Sequence, residues 1–314
     1  MKHLRLLVPA SDEHFDETGY LHANPDVARA VSTGVIACGY DHFDAFGRRE
    51  SRNQRVPIPA EWKSAKLARA RACLRDPNAG LAGATAIDCL DDTLRERCGV
   101  IATDNISAHE YDHRALELIE RHRDGWVLDC GAGMRGTYYA HVLNTEIVAY
   151  DSTDVLAVAE CLPFRDGCFD AVLSLNVLEH VKNPFAAAAE LIRVLRPGGE
   201  LLCVAPFMQP LHGYPHHYYN MTREGLRNLF AGLNEQRFEI YGAMHPIWAL
   251  QWFLTRYAHG LPAAQRDRFE AMTVSQLLAP ATQLELDAIA TELASGSCIE
   301  LASAHALHAR KPSN

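Results

Sequence analysis

The sequence lacks the features that mark secreted and membrane-spanning chains. Its nine cysteines are odd in number and form no C-x-x-C pair, so we expect buried free thiols in a reducing cytosol rather than a disulfide framework. No apolar run reaches the ~18 residues that suggest a membrane-spanning helix, and the apolar stretch after Met1 is too short for a signal peptide. These absences predict a cytoplasmic protein without a membrane span.

Positive charge is also scarce. The chain has 30 Lys and Arg residues against 39 Asp and Glu, a net charge of −9, which argues against a broad nucleic-acid-binding surface. Internal repeats and low-complexity tracts are absent as well. The 314 residues, 48% of them hydrophobic, are typical of a globular protein with one large domain and a smaller one.

The most informative stretch is Val127-Leu-Asp-Cys-Gly-Ala-Gly133. An apolar run that leads into Asp129 and a glycine turn predicts a strand, a loop and a helix that together bind a nucleotide. The glycines let the backbone approach a ligand closely. Gly136 completes a G-x-G-x-x-G spacing, and Asp151 stands where the dinucleotide fingerprint has its ribose-binding acid. Taken alone, the stretch therefore fits NAD as well as another adenosine ligand.

Four stretches in a fixed order separate these alternatives. They are Asp129-Cys-Gly-Ala-Gly133, Leu162-Pro-Phe-Arg-Asp-Gly-Cys-Phe-Asp170, Asn176-Val-Leu-Glu-His180 and Arg193-Val-Leu-Arg-Pro-Gly-Gly199. In order and spacing they resemble the class I S-adenosylmethionine (SAM)-dependent methyltransferases, of the type 11 kind, over roughly Tyr111 to Lys311. The resemblance implies an α/β fold with a doubly wound, mostly parallel seven-stranded sheet, and SAM as the cofactor.

The hydrophobic pattern predicts a similar architecture, because strands that alternate with helices form a parallel sheet covered on both faces. We expect strands near 126–130, 145–150, 155–159, 169–175, 200–205, 237–243 and 301–309, and helices near 135–143, 184–196, 222–231 and 246–294. The last two strands match the family's reversed edge hairpin, with a helical insertion at about 246–297 between them. We assign 1–56 to an N-terminal helical module and 57–314 to the methyltransferase domain.

The N-terminal module has a pattern of its own. Tyr20-Leu-x-x-Asn-Pro-Asp-Val-Ala-x-Ala-Val31, followed by His42-Phe-x-x-Phe-Gly47, resembles a small unit attached to bacterial glycan-modifying enzymes. Asn24 and Pro25 are expected to begin a helix, and Gly34 to end it. A docking or dimerising role is the favoured interpretation, and direct sugar binding is the alternative.

The resemblance assigns cofactor contacts to two loops. The loop of Asp129, Gly131, Ala132 and Gly133 would hold the methionine half of SAM. An acid at the end of the second strand suits the ribose diol, because a carboxylate accepts two hydroxyl hydrogen bonds. Asp151 is the favoured acid, and Asp154 competes with it.

Further along, the resemblance places the adenine and the transferred methyl group. Ala159, Glu160 and Leu162 belong to the adenine-contacting loop, although Val158 stands where many members carry an acid. Asn176 follows the fourth strand, where the family's backbone faces the sulfonium. Glu179 and His180 lie one turn later, either near the site or as a polar cluster at a helix start.

A loop rich in histidine and tyrosine follows the fifth strand. His212, His216 and His217 are our catalytic candidates, because an imidazole titrates near neutrality and can remove the acceptor's proton. A second interpretation is that the loop only shapes the pocket. A third is that His212 and His216 bind a metal, but Gly213 and the proline at 215 argue against the helix that this spacing needs. We therefore expect no metal ion.

These observations predict an enzyme that moves a methyl group from SAM to an oxygen, nitrogen or carbon of a small molecule or saccharide precursor. One alternative is a non-catalytic SAM-binding partner or regulator, motivated by Val158. The other is an NAD-dependent oxidoreductase, motivated by the glycine spacing. We expect no nucleic-acid partner, and a homo-oligomeric state stays open.

Overall fold

The structure, a computed structural model, describes residues 2–80, 85–101, 107–213, 216–234, 237–307 and 310. Its N-terminal part consists of short strands and helices. They are β1 (His3–Arg5), β2 (Leu7–Pro9), α1 (Glu17–Ala23), α2 (Pro25–Ser32), α3 (Gly39–His42), a π-helical turn (Phe43–Gly47) and β3 (Asn53–Arg55). As predicted, α2 begins with Pro25 after Asn24, and Gly34 follows the helix with a φ of +72°.

The middle of the chain alternates strands and helices. Its elements are α4 (Ala60–Cys73), β4 (Ile87–Asp88), α5 (Asp92–Cys98), α6 (His113–Arg121), β5 (Val127–Cys130), β6 (Thr137–Tyr139), β7 (Val142–Glu146), β8 (Val155–Leu156), β9 (Phe169–Leu175), a 3₁₀ turn (Leu178–His180), α7 (Pro184–Val194), β10 (Leu195–Val204) and α8 (Arg223–Leu229). The last part is helical: a 3₁₀ turn (Gly242–Met244), α9 (Pro246–His259), α10 (Ala263–Glu270), α11 (Val274–Leu277), α12 (Ala281–Leu284), α13 (Ala288–Thr291) and α14 (Ser295–Glu300).

Within the part of the chain that the structure describes, the central sheet is parallel and has six strands in the order β10-β9-β5-β7-β8-β4. Buried side chains pack on both of its faces, from α4 and α7 in one cluster and from α6 in the other. The predicted Rossmann-like α/β class is thus confirmed. Two predicted strands are wrong, because the described residues at 237–243 and 301–307 form no strand and the reversed edge hairpin is missing there.

Helix ends follow the sequence signals closely. The Asn183 side chain accepts a hydrogen bond from Ala186 N at 3.0 Å, and Pro184 begins α7. The Thr222 hydroxyl accepts from Gly225 N at 2.9 Å at the start of α8. Such caps satisfy backbone donors that the helix itself leaves free.

The N-terminal part is joined to the central sheet region at two places. Strand β1 pairs with β6 in antiparallel register, His3 opposite Tyr139. The buried Arg55 guanidinium donates to both carboxylate oxygens of Asp151 at 2.6 Å. The domain boundary at 56/57 stays a prediction, but hydrogen bonds and an ion pair cross it.

A buried charge cluster fastens α4 to the sheet. Asp154 is fully buried and lies 3.0 Å from the Lys63 ammonium and 2.7 Å from that of Lys66. It also accepts from the Tyr138 hydroxyl at 2.5 Å and from Asn144 N at 2.9 Å. Burial alone would raise the pKa of Asp154, but the two lysines outweigh it and lower that pKa.

Candidate functional site

The strands β5, β7, β9 and β10 end at one edge of the sheet, and the loops that follow them carry most of the predicted site residues. Ligands of open α/β folds bind at this carboxyl edge. Gly131 N and Ala132 N both donate to the Thr145 carbonyl, at 3.0 and 2.9 Å. The glycine turn is therefore fastened across β5 and β7 by its own backbone.

The two glycines of the turn are required by geometry. Gly131 has a φ of +73° and Gly133 a φ of +63°, values that L side chains rarely adopt. A Cβ at Gly131 would lie 2.5 Å from the Val177 side chain, and one at Gly133 would lie 2.6 Å from the Ser107 carbonyl oxygen. The turn thus packs its backbone directly against the loop after β9 and against the 107–110 segment.

The predicted helix at 135–143 is wrong. Strands β6 and β7 occupy this stretch, and no helix occurs in 131–146, all of which the structure describes. The stretch carries β-branched and aromatic side chains and pairs with β1 and β5. The predicted helix after the glycine turn belongs to the NAD and the SAM interpretations alike, so its absence does not separate them.

Asp129 is fully buried and ion-paired. Its Oδ2 accepts from the Tyr111 hydroxyl at 2.6 Å and from Arg135 Nε at 2.9 Å. Its Oδ1 has no hydrogen-bond partner among the described residues. Arg135 stacks over the Tyr111 ring at 4.1 Å. The carboxylate therefore stabilises the glycine turn, and contact with SAM through Oδ1 stays a prediction.

The two acids proposed for the ribose lie elsewhere than expected. Asp151 does not end the second strand: it lies in a turn five residues beyond β7 and pairs with Arg55. Asp154 belongs to the buried lysine cluster. Because their carboxylates already bind cations, neither is left free for a diol in this arrangement, and the role of Asp151 stays a prediction.

Glu146 is the acid that the sequence interpretation missed. It is the last residue of β7, and its carboxylate accepts from Gly133 N at 2.8 Å and from Ile147 N at 2.7 Å. Burial raises its pKa, although the two backbone N–H groups act in the opposite direction. The sequence signal for Glu146 is the apolar run before it. The strand predicted at 145–150 ends about four residues beyond the end of β7.

The adenine-loop candidates divide into core and edge residues. Leu162 is fully buried in the hydrophobic core, and its N–H donates to Glu190 at 2.8 Å. Ala159 is also buried, next to a bridge between Val158 and Cys161. The Glu160 carboxylate accepts from Lys182 N at 3.1 Å. Their contacts with an adenine stay predictions.

Asn176 follows β9 directly and has a strained backbone conformation. It is exposed, has a φ of +57°, and donates its N–H to the Val204 carbonyl at 2.9 Å. Non-glycine residues in the left-handed region are often found at functional sites, and asparagine tolerates this region better than most side chains. The predicted role of Asn176 beside the sulfonium stays a prediction.

The conformation of Asn176 gives a stability prediction. We expect Asn176→Ala to be less stable than Asn176→Gly by about 1–2 kcal/mol, because only glycine adopts this φ without a Cβ penalty. Urea denaturation of the two variants measures the difference. Equal stabilities would show that the backbone at 176 is not held in the left-handed region.

Glu179 is fully buried behind Asn176, and neither carboxylate oxygen has a hydrogen-bond partner among the described residues. Burial raises its pKa to about 8. His180 Nε2 is the neighbouring polar atom, 3.7 Å from Oε1. The Glu179 carbonyl accepts from the N–H groups of Tyr218 and Tyr219 at 2.6 and 3.3 Å. The histidine-rich loop therefore lies against this turn.

Three imidazoles meet here, and we call His180, His212 and His217 the histidine cluster. Their ring centroids are 4.5 to 5.7 Å apart. His217 Nδ1 accepts from His212 N at 3.1 Å, while its Nε2 faces the oxygens of Tyr219 and Asn220. Both nitrogens of His217 are thus used inside the loop, which supports a positioning role.

His216 lies apart from the cluster. Its ring packs on Tyr218, with centroids 5.3 Å apart, and only its carbonyl reaches the cluster, where His180 Nδ1 lies 2.7 Å away. The loop residues Tyr214 and Pro215 lie outside the described residues. The structure does not bring His212 and His216 together as a metal pair, and their catalytic roles stay predictions.

The helical C-terminal part covers the loop from one side. Trp252 of α9 lies 5.0 Å from the His212 ring, and Leu211 N donates to the Glu300 carbonyl at 3.1 Å. These helices have their own small core, including Ala258, Phe269 and Ile289. The predicted helical insertion therefore contacts the histidine-rich loop.

Comparison with known proteins identifies the segment that forms this edge. The family described as "Methyltransferase domain" matches residues 128–203, which run from β5 to the end of β10. About a quarter of the chain therefore resembles this family. The resemblance inferred from the sequence motifs is thereby confirmed, and the match supports SAM as the cofactor.

Individual relatives match the methyltransferase segment over short stretches. An uncharacterized methyltransferase of Mycobacterium avium is 36% identical over 91 residues, covering 28% of this chain and 36% of that protein. A ubiquinone/menaquinone biosynthesis C-methyltransferase of Shewanella pealeana is 48% identical over 58 residues, 18% of this chain and 23% of that protein. The matches thus span about a third or less of these relatives.

A solved structure is also similar to part of the chain. It is the 1,6-didemethyltoxoflavin-N1-methyltransferase of Burkholderia thailandensis, which is 20% identical, covers 38% of this chain and 65% of that one, and has a TM-score of 0.29.

None of the helices in the described residues combines the length and the hydrophobicity needed to cross a bilayer.

Proposed function

We propose that the protein is a SAM-dependent methyltransferase that acts on an oxygen, nitrogen or carbon of a small molecule or saccharide precursor. The observation that carries the proposal is the coincidence of the family match with the carboxyl edge of the sheet. Residues 128–203 include the glycine turn, Glu146 and Asn176, and we place the cofactor crevice between them. The fold brings these three features to one edge of the sheet, although they are far apart in the sequence.

The residues of this edge suit the cofactor. Gly131 and Gly133 hold the turn close against Val177 and Ser107, and the turn lies at the carboxyl edge where ligands of open α/β folds bind. The unpartnered Oδ1 of Asp129 leaves an acceptor oxygen beside the turn for the ligand's ammonium group, and the Glu146 carboxylate lies next to it at Gly133 N. Bound SAM supplies an electrophilic methyl group, which moves to the acceptor and leaves S-adenosylhomocysteine.

The protein's own residues then position the acceptor. In this proposal the acceptor is covered by helix α9 and the histidine-rich loop, which meet where the Trp252 ring lies 5.0 Å from that of His212. Holding the acceptor in line with the methyl group supplies much of the rate enhancement in such reactions. His180 and His212 each have Nδ1 next to a backbone carbonyl, which leaves their Nε2 lone pairs free for the acceptor side.

Calorimetry with S-adenosylhomocysteine tests the cofactor part of the proposal. We expect saturable binding to the full chain, with one ligand per chain, and weaker binding after Glu146→Ala. Glu224→Ala, on the exposed surface of α8, is the matched control. Absence of binding at millimolar ligand would overturn the proposal. Transfer of a labelled methyl group to panels of hydroxyl, amine and carbon acceptors then identifies the acceptor class.

A further inference from the structure

A buried carboxylate and two imidazoles lie together at the carboxyl edge of the sheet. A ligand atom from each of Glu179, His180 and His212 lies within 4.8 Å of the other two. Glu179 comes from the turn after β9, and His212 comes from the loop after β10. We propose that Glu179, His180 and His212 bind a divalent transition-metal ion, with zinc preferred.

The first argument concerns the Glu179 carboxylate, whose two oxygens have no hydrogen-bond partner among the described residues. A fully buried carboxylate whose two oxygens lack hydrogen-bond partners is costly, and buried charges usually pair with a cation or coordinate a metal. Within the described residues no Lys or Arg forms an ion pair with it, and the His180 Nε2 atom lies 3.7 Å from its Oε1. A metal ion would satisfy the carboxylate where the protein supplies no cation.

The second argument is the orientation of the two imidazoles. His180 Nδ1 lies 2.7 Å from the His216 carbonyl, and His212 Nδ1 lies 2.9 Å from the Pro210 carbonyl. A carbonyl oxygen only accepts, so each Nδ1 carries the proton and each neutral ring keeps a lone pair on Nε2. Metal-binding histidines usually have this arrangement, in which the outer nitrogen donates to a carbonyl.

The geometry also suits closure around an ion. Zinc holds nitrogen and oxygen ligands at about 2.0–2.2 Å, so the ligand atoms must approach one another by about 1 Å from their present separation. Gly213 permits His180 to lie close to the loop, since a Cβ there would be 2.1 Å from the imidazole Cε1. The His217 ring, which accepts from His212 N, fixes the backbone of that ligand.

The ligand set indicates the kind of ion. Two imidazoles and one carboxylate bind zinc in catalytic sites, where a fourth position stays open for water or substrate. Magnesium and calcium prefer oxygen ligands and fit this set poorly. His180 is partly exposed, with 24% of its side chain accessible, so a fourth position can face the crevice.

An ion at this place has a consequence for the reaction, and this consequence rests on the proposed function. A hydroxyl of the acceptor that occupies the fourth position would lose its proton to water more readily, because a bound cation stabilises the oxyanion. The oxygen would then attack the methyl carbon as the bond from carbon to sulfur breaks. The Nε2 lone pairs would bind the ion rather than take the proton.

Metal binding is tested on the full chain without SAM or acceptor. Chelator-treated protein is titrated with zinc against a chromophoric chelator, and bound metal is counted by mass spectrometry. We expect one ion per chain, and an affinity loss for Glu179→Gln and His212→Asn larger than the ~10–100-fold that removal of an outer partner costs. His216→Asn keeps its carbonyl and should bind like the unaltered protein.

Cobalt separates this site from the nine cysteines. Co²⁺ bound to nitrogen and oxygen gives visible bands without the near-ultraviolet band of a thiolate ligand, and the visible bands should vanish in His212→Asn. A thiolate band, substoichiometric zinc, or equal binding by His212→Asn and His216→Asn would overturn the proposal. S-adenosylhomocysteine binding to metal-free protein is measured in parallel, so failure of the metal site is distinguishable from failure of the proposed function.

Discussion

Asp154→Asn is expected to lower the free energy of unfolding by about 3–5 kcal/mol, since it leaves buried cations without their counter-charge. Lys66 is almost completely buried and has Asp154 as its ion-pair partner, and Lys63 shares that carboxylate. The asparagine keeps the shape of the side chain but removes the charge. Urea denaturation followed by circular dichroism measures the loss.

Two further variants isolate the cause. Glu224→Gln breaks an exposed pair with Arg227 and should change stability little, because exposed pairs contribute little. Combining Asp154→Asn with Lys66→Met should recover part of the loss, since the second change removes one unpaired charge. A loss from Asp154→Asn as small as that from Glu224→Gln would contradict the buried-cluster interpretation.

The pH dependence of Asp154→Asn follows from Lys66. Burial lowers the pKa of Lys66 to about 8, although Asp154 acts in the opposite direction. Without Asp154, the folded protein should release this proton at still lower pH, while the unfolded chain keeps it up to the usual lysine range. The unfolded state then binds more protons, so the variant's stability should rise as the pH is raised through this interval.

Gly131→Ala is expected to weaken binding of S-adenosylhomocysteine at least 100-fold, about 2.8 kcal/mol. The new Cβ would meet Val177 at 2.5 Å and push apart the two loops that form the crevice. The residue also has a φ of +73°, so the fold itself loses about 1–2 kcal/mol. Calorimetry measures the affinity and urea denaturation measures the stability.

Gly198→Ala is the matched control for this change. Gly198 has a φ of +78°, but a Cβ there would meet nothing within 4 Å. It should lose similar stability and keep its affinity for the ligand. Adding Val177→Ala to Gly131→Ala should restore part of the binding, because it removes the clashing methyl groups. Equal affinities for Gly131→Ala and Gly198→Ala would show that the turn does not form the cofactor crevice.

Local signals were enough to predict much of the fold. The apolar run at 169–175 matches β9, and Asn183 and Pro184 begin α7, because caps and strand hydrophobicity act over a few residues. The region after the glycine turn was mispredicted for the opposite reason. Strand β6 depends on β1, its partner from the chain's beginning, and no local pattern records that pairing.

The type of site could be predicted from the sequence, but not all of the residues that form it. The glycine turn and Asn176 lie at the expected edge, since short motifs fix them. Glu146 was missed because an error of a few residues in strand register changes which acid ends the strand. The approach of His212 to His180 depends on the left-handed Gly213, a long-range arrangement that spacing alone could not reveal.

The pairing of β1 with β6 has a consequence for synthesis on the ribosome. His3–Arg5 is translated well over a hundred residues before its partner Thr137–Tyr139. At 5–20 residues per second, the interval is on the order of ten seconds. During that time the first strand has an unpaired edge that can associate with other chains. We expect nascent chains shorter than this partner to be the ones that chaperones retain.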